Sequence, residues 1–364
     1  MTDQLLHTAC HDWHVAHGGR MVDFAGWDMP VQYSSIVAEH HAVRKGAGLF
    51  DIAHMGRLQF TGPDTLRFLN HLVTNDVRQL DVGQIQYALV VNEQGGTLDD
   101  VLVYRLADFH LMVVNASNRT KIVDWIATHQ SGFDVHVEDL TTTQFMLALQ
   151  GPQAEAILNR LVDIDLKQIG YYRGAGAHLL DHSAIVSRTG YTGEDGFEVI
   201  LDVKHAVPVW ERILAEGADV GILPAGLGCR DTLRLEAAMP LYGHELDEQT
   251  DPLTAGLSFA VKLDKRDFIG RDALAAIKAR PDRPRRVGLE LEGRRIAREG
   301  ALVYAGDRQI GRVTSGTFSP TLEKSIAMAY VAPDAAQVGS SVEIDIRGSR
   351  ERATMVRLPF YKRA

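Results

Sequence analysis

The sequence is poor in cysteine, in basic residues relative to acidic ones, and in long apolar runs. Its 364 residues include only 2 cysteines, Cys10 and Cys229, which give no disulfide framework and fit a reducing compartment. The net charge of -9 disfavours nucleic acid as a main partner, because phosphate binding needs a basic surface. No apolar run reaches the length of a membrane span, and the first residues lack a secretion or transit pattern. We therefore expect a cytoplasmic protein without a membrane partner.

The overall composition is that of a globular protein with a sizeable hydrophobic core. Hydrophobic residues make up 45% and charged residues 23%, and the length suggests two or three domains. Residues 280–286 are rich in arginine and proline, which is typical of a linker, although the same arginines could form a docking patch. Short strands with Gly, Asp and Ser turns follow, and they predict a small all-β barrel or jelly roll. We expect domains at residues 1–279 and 280–364.

Residues 92–106 combine a glycine turn with a strand that begins on two carboxylates. Gly95 and Gly96 lead into a run of β-branched and aliphatic residues, with Asp99 and Asp100 at its start. Successive strand residues point to opposite faces, so we expect one of the two aspartates to face inward. A carboxylate at the start of a buried strand is costly unless it is paired or used. The alternative is a turn aspartate that caps its own backbone.

A second stretch, residues 187–201, has a similar character. Three glycines, Gly190, Gly193 and Gly196, precede a strand pattern in which Glu198 lies among apolar residues. Glycine-rich loops allow a ligand to approach the backbone closely. This makes Glu198 a candidate for ligand binding.

An internal repeat connects the two stretches. Residues 58–72 resemble residues 147–161, and each copy has a Gly-Pro pair followed by leucine-rich helical spacing. Strands and then a helix with one tryptophan, Trp125 or Trp210, follow each copy. The pattern predicts two related α+β halves, with Asp100 in the first and Glu198 in the second. If the halves face each other, both acids flank one pocket.

Residues 224–236 predict a helix that follows two glycines. Arg230 and Arg234 are four residues apart and share a face. One interpretation is a surface ion-pair helix. The other places Arg230 beside the glycine loop, facing an anionic or carbonyl-bearing ligand.

The N-terminal region carries a histidine pattern that could suggest a metal. Residues 5–17 predict a short helix with histidines and one cysteine at spacings of three and four, but no further ligand with a recognisable spacing follows. We therefore expect an amphipathic surface helix and no metal. Residues 21–33 contain an aromatic cluster that we expect in a loop, as core or as the wall of a flat-ring pocket.

Five blocks of sequence, in order, resemble the T-protein family of the glycine cleavage system, whose members are aminomethyltransferases. They are MVDFAGWDMPVQY, HHAVRKGAGLFDIAHMG, GGTLDDVLVYR, SRTGYTGEDGFEV and PAGLGCRDTLRLEAAMPLYGHEL. The resemblance covers nearly the whole chain, and long blocks in order are a specific signal. It implies an α+β fold in which two interlocked α+β lobes and a C-terminal β-barrel or jelly-roll lobe surround a central channel that holds tetrahydrofolate.

The resemblance also implies a reaction. A lipoylated carrier, the H-protein, presents an aminomethyl group. The enzyme releases ammonia and passes the one-carbon unit to tetrahydrofolate, giving methylenetetrahydrofolate and dihydrolipoyl H-protein. The alternatives within the same fold are a tetrahydrofolate-dependent demethylase of methylated sulfur or oxygen compounds and a folate-binding protein that assists iron–sulfur assembly. The intact glycine and acidic blocks favour the aminomethyltransferase.

By match to the family motifs, the resemblance implies roles for seven residues. Asp100 would act at the reacting pterin nitrogen, by electrostatic stabilisation or by moving a proton. Glu198 would grip the pterin, whose adjacent amide and amine donors suit a carboxylate. The remaining folate-site residues implied by the resemblance are Arg230, Tyr87, Tyr191, Asn115 and Tyr361.

Overall fold

The structure is a computed structural model that describes residues 5–265 and 267–363. The chain contacts divide it into two compact units. The first unit comprises Met1–Leu69, Val77–Tyr87 and Val101–Asp231, and the second comprises Asn70–Asp76, Ala88–Asp100 and Thr232–Ala364. None of the helices in the described ranges is long and apolar enough to cross a membrane.

Helices are interspersed with runs of strands through the first two thirds of the chain, and strands dominate the rest. The helices in the described residues are α1 (His11–Ala16), α2 (Ile36–Lys45), α3 (Thr65–Leu72), α4 (Arg119–His129), α5 (Ala154–Leu158), α6 (Ala206–Glu216), α7 (Leu227–Glu236) and α8 (Arg271–Ala279). The strands before the C-terminal region are β1 (Arg20–Phe24), β2 (Trp27–Gln32), β3 (Gly48–Asp51), β4 (Gly56–Thr61), β5 (Ile85–Val91), β6 (Thr97–Arg105), β7 (His110–Val114), β8 (His136–Asp139), β9 (Gln144–Gln150), β10 (Gly174–Leu179), β11 (His182–Ser187), β12 (Gly196–Asp202) and β13 (Leu223–Pro224). The C-terminal strands are β14 (Arg285–Leu291), β15 (Leu302–Ala305), β16 (Arg308–Ser319), β17 (Lys324–Val331), β18 (Ser341–Ile346) and β19 (Ser349–Val356).

The internal repeat is present as two sheets with matching strand order. The element order β4-α3-β5-β6-β7-α4 recurs as β9-α5-β10-β11-β12-α6. One sheet runs β5-β6-β7-β4-β8 and the other runs β10-β11-β12-β9-β3-β13, so β6 corresponds to β11 and β7 to β12. Asp100 lies on β6 and Glu198 on β12. The two acids therefore occupy strands that are not equivalent in the repeat.

The six-stranded sheet is covered by α5 and α6, which supply much of its core. Ile157 and Leu158 of α5 and Val209 and Trp210 of α6 are all fully buried in one hydrophobic cluster with the sheet. The apolar positions recur at helical spacing, which explains why these short segments fold as helices against the sheet. This packing gives β12, the strand that carries Glu198, a rigid support.

The N-terminal segment differs from its prediction in two respects. The helix expected over residues 5–17 begins only at His11, because Leu6 instead pairs with the second strand of a hairpin and accepts a 2.9 Å hydrogen bond from the Asp28 amide. The aromatic segment expected as a loop is the hairpin β1–β2. Its turn uses positive φ at Ala25 and Gly26, 54° and 80°, which is the geometry that two-residue hairpin turns require.

The C-terminal region is a closed barrel in the order β14-β17-β16-β15-β18-β19, with β19 pairing back onto β14. Alternate residues point inward, among them Leu289, Val313, Ala329 and Ile344, which are all fully buried. Closure leaves no unpaired sheet edge. The mixed α+β class and the C-terminal barrel, both predicted from the sequence, are confirmed.

Candidate functional site

Glu198 is a buried carboxylate in the middle of β12. It is 6% exposed, and its backbone pairs with Ser187 of β11 on one side and Ala148 of β9 on the other. Pairing on both sides fixes the strand, and the alternation along it fixes the direction of the side chain. A buried carboxylate in such a position requires partners.

A chain of hydroxyl groups leads to this carboxylate. Thr189 donates to Glu198 Oε2 at 2.5 Å, and the Ser187 hydroxyl lies 3.1 Å from the Thr189 hydroxyl. The phenol of Tyr104 on β6 lies 3.4 Å from the Ser187 hydroxyl. Burial and the charge of Glu198 raise the pKa of Tyr104, so its phenol stays neutral. Among the described residues, Glu198 Oε1 has no hydrogen-bond partner, and it is therefore available to a ligand.

Arg230 and Tyr191 complete a charged cluster around Glu198. The Arg230 guanidinium lies over the ring of Tyr191, with Cζ 4.7 Å from its centroid. Burial lowers the pKa of Arg230, while Tyr191 and Glu198 oppose this decrease. Burial raises the pKa of Glu198 above its ordinary value, although the Thr189 hydrogen bond and the charge of Arg230 act in the opposite direction. The structure thus brings together three of the residues that the sequence predicted.

The loop that carries Tyr191 is held from two sides. Arg44 of α2 donates to the Thr192 carbonyl at 2.7 Å and pairs with the Glu194 carboxylate at 2.9 Å. The Gln150 amide donates to the Thr189 carbonyl at 3.0 Å. At Gly190, a Cβ would lie 2.0 Å from the Gln150 side-chain oxygen, so a larger residue there would displace the Gln150 amide that holds the loop.

The other predicted residues lie on neighbouring elements. Tyr87 is half-buried on β5, and Asn115 is half-buried directly after β7, both in the first unit. Asp100 and Tyr361 belong to the second unit. Tyr361 is half-buried, and its amide donates to the Glu236 carbonyl at 2.9 Å.

The two aspartates at the start of β6 differ in burial. Asp99 is fully buried and Asp100 is half-buried. Alternation along the strand accounts for the difference, as expected, but the side chain that faces the interior is that of Asp99. Asp100 is the more exposed of the two residues.

Sequence reasoning did not single out His54. It lies in the turn between β3 and β4 and is 1% exposed, and its Nδ1 has no hydrogen-bond partner in the part of the chain that the structure describes. Burial and the nearby charge of Arg230 lower its pKa to about 3, so the ring is neutral. No short-range pattern identifies such a residue. Sequence reasoning also missed Ser187 and Thr189. These two hydroxyl residues are separated by one residue just before the glycine loop, and that alternation could have marked them as candidate site residues.

Comparison with known proteins identifies the family. A profile described as "GCVT N-terminal domain" matches residues 10–265, and one described as "Glycine cleavage T-protein C-terminal barrel domain" matches residues 285–362. The chain belongs to the glycine cleavage T-protein family.

Similar proteins span the same length. An aminomethyltransferase of Rubrobacter xylanophilus is 51% identical over 360 residues, covering 99% of this chain and 95% of the relative. One of Desulfitobacterium hafniense is 46% identical over 361 residues, covering 99% of each. The crystal structure of glycine cleavage system aminomethyltransferase T from Bartonella henselae has a TM-score of 0.91 at 34% identity, covering 98% of each chain.

Membership of the T-protein family confirms the predicted function. The chain is an aminomethyltransferase of the glycine cleavage system, and the demethylase alternative is not favoured by relatives that match over their whole length. T-protein aminomethyltransferases use tetrahydrofolate, so the chain is a one-carbon transferase of that class.

Proposed function

We propose that Glu198 binds the pterin of tetrahydrofolate through its open carboxylate oxygen. Thr189 donates to Oε2, and Oε1 would accept from the ligand. The amide and amine donors at one edge of a pterin lie side by side, and a carboxylate can accept from both. The buried, singly occupied carboxylate of Glu198 is the observation that carries the proposal.

Arg230, Tyr191, Tyr87 and Asn115 would complete the folate site in the first unit. The guanidinium stacked on Tyr191 is held in one orientation and offers donors to a carbonyl or anionic group of the ligand. Tyr87 and Tyr191 would supply flat apolar walls, and Asn115 an amide at the end of β7. The Arg230 guanidinium beside the Glu198 carboxylate disfavours a metal ion at that carboxylate. We therefore propose that the one-carbon transfer uses no metal.

Asp100 would act on the transferred carbon. Positive charge develops on that carbon as ammonia leaves, and a fixed carboxylate stabilises such charge in a site with little water. The half-buried side chain of Asp100 is accessible enough to face a substrate. Tyr361 is a further candidate folate-binding residue, on the family resemblance alone.

The second substrate would be the aminomethyl-lipoyl arm of the H-protein, and the products methylenetetrahydrofolate, ammonia and the dihydrolipoyl carrier. The two domains are proposed as residues 1–279 and 280–364, with the exposed arginine- and proline-rich segment between them as the linker. We place the reaction in the cytoplasm, where the two buried thiols of Cys10 and Cys229 would stay reduced.

Calorimetric titration with tetrahydrofolate tests the role of Glu198. Glu198→Ala should weaken binding by about 1.5–3 kcal/mol, the contribution of a hydrogen bond to a charged group. The wild-type affinity should also fall as pH decreases through the raised pKa of Glu198, because only the ionised carboxylate accepts two hydrogen bonds. Glu198→Gln should lack this pH dependence.

Asp202→Asn is the matched control, because Asp202 lies on the same strand and is exposed. Its affinity for tetrahydrofolate should equal that of the wild type. If Glu198→Ala binds folate as tightly as this control, Glu198 is a structural residue and the pterin lies elsewhere.

A further inference from the structure

The N-terminal histidines acquire a partner that is distant in sequence. His7, His11 and Asp28 each place one potential ligand atom within 4.8 Å of the others, and among the described residues they are the one such group of three or more. Backbone pairing of Leu6 with Trp27 fixes this arrangement, since it sets His7 beside the strand that carries Asp28. The sequence could not show this, because Asp28 follows His11 by 17 residues.

The three side chains lie close together, and one stacked ring must turn before both imidazoles can bind one ion in their ring planes. His11 Nε2 lies 2.8 Å from Asp28 Oδ2, and its Nδ1 lies 3.1 Å from Asp12 Oδ1. The rings of His7 and His11 are stacked, with centroids 3.6 Å apart and an interplanar angle of 4°. His7 is exposed and the other two are half-buried, so the group is open to solvent.

Charge at the cluster favours a cation. The carboxylates of Asp28 and Asp12 both lie within hydrogen-bonding distance of the His11 ring and give the cluster negative charge, which favours a bound cation. Two imidazole nitrogens and a carboxylate oxygen are a donor set that first-row divalent metals accept.

We propose that His7, His11 and Asp28 bind a divalent first-row metal ion, for which Zn²⁺ is the appropriate probe. Each imidazole binds the ion through an unprotonated nitrogen, and water completes the coordination. The ion would fasten the start of α1 to the β1–β2 hairpin. The site shares no residue with the proposed folate site, so it is an accessory site rather than part of the transfer chemistry.

A second stacked histidine pair provides an internal control. The rings of His182 and His205 lie 3.5 Å apart at 8°, which is nearly the geometry of His7 and His11. Within the described ranges, this pair belongs to no group of three or more potential metal ligands. A site that needs the carboxylate should therefore form at the first pair and not at the second.

The test is zinc titration of the untagged, full-length, chelator-treated protein by calorimetry at pH 7.5, together with thermal melting. We expect one Zn²⁺ per chain and a higher Tm in its presence. His7→Ala and Asp28→Asn should each weaken binding at least about tenfold, because loss of a group that only supports a ligand already costs about that much. His182→Ala should leave it unchanged. Lowering the pH to 5.5 should weaken zinc binding, because both imidazoles must lose their protons.

His7 is exposed, so His7→Ala should fold normally and separates loss of a ligand from loss of structure. Absence of zinc binding by the wild type overturns the proposal. Loss of zinc binding in His182→Ala would also overturn it. Zinc binding that persists in both His7→Ala and Asp28→Asn would do the same.

Discussion

Among single residues, burial distinguishes carboxylates that look alike in the sequence. Glu198 and Asp99 are both inside the protein, whereas Asp100, adjacent to Asp99, is half-exposed. Full burial of an acid is a cost to folding unless its partners satisfy it, and partial exposure allows it to meet a substrate. We therefore expect substitution of Asp99 to affect mainly stability and substitution of Asp100 to affect mainly turnover.

Asp100→Asn should reduce turnover by about a hundredfold or more, the scale for removing a preorganised charge that stabilises a transition state. Folate binding should persist, because the pterin is held by other residues. Single-turnover kinetics with aminomethylated carrier, alongside a tetrahydrofolate titration, measures the two effects separately.

Asp99→Asn is the comparison for that variant. Because Asp99 is fully buried, its amide analogue should lower the Tm while leaving the rate per folded molecule much closer to that of the wild type. Equal losses of rate in the two variants, at equal folded fraction, would show that Asp100 has no special role.

Among secondary-structure elements, the sequence predicted those whose signals lie in neighbouring residues, such as helix caps. Helix α2 follows its cap, since Ser35 accepts from the Ala38 amide at 3.1 Å. The β1–β2 hairpin was missed because its turn is Ala25-Gly26, and a non-glycine residue at positive φ gives no sequence signal. Helix α1 is shorter than predicted because strand-like pairing of Leu6, a tertiary interaction, competes for its first turn.

The glycine loop after β11 is an element whose shape depends on α2. Arg44 holds it through Thr192 and Glu194, and the side chains of this ion pair are only 4% and 6% exposed. Arg44→Met should leave Glu194 buried without this charge partner and loosen the loop that carries Tyr191. We expect KM for tetrahydrofolate to rise about tenfold, with a much smaller change in kcat, since a charged hydrogen bond contributes about 1.5–3 kcal/mol.

Arg67→Met is the matched control for this loop, because Arg67 also pairs with a carboxylate, that of Asp64, but is 59% exposed and lies on α3. Its KM should not change. A lower Tm for Arg44→Met with an unchanged KM would assign Arg44 to stability alone and remove its proposed effect on folate binding.

At the scale of the whole molecule, the internal repeat predicted the two sheets but not the arrangement of the site. The sequence assigned Asp100 to the first half and Glu198 to the second, and the two acids lie on strands that the repeat does not equate. The supporting groups, Thr189, Ser187 and Tyr104, come from three separate positions on β6 and around β11. Such convergence depends on strand order and register, which a linear pattern does not contain.

The remaining prediction concerns the second substrate. We expect high kcat/KM with the aminomethylated lipoyl carrier, much lower values with free aminomethyl-lipoate, and no efficient transfer from methylated sulfur or oxygen compounds. Binding energy from a carrier protein contributes to positioning the reacting group, and a free small molecule lacks it. Efficient methyl transfer from a small compound, with none from the carrier, would contradict the assigned activity.

Electrostatic steering would explain how a chain of net charge -9 attracts an acidic carrier. Arg285 and Arg298 are exposed in the C-terminal region, within the arginine-rich segments 280–286 and 294–298. Arg285→Glu and Arg298→Glu should raise KM for the carrier, and added salt should weaken the wild-type reaction steeply. Arg308→Glu is the control, since Arg308 is also exposed but lies outside the two segments and pairs with Asp334 at 2.8 Å. Arg308→Glu could raise the KM for the carrier as much as Arg285→Glu or Arg298→Glu does. The same change in net charge would then have the same effect wherever it is made. In that case the net charge of the protein, and not these two segments, would govern docking.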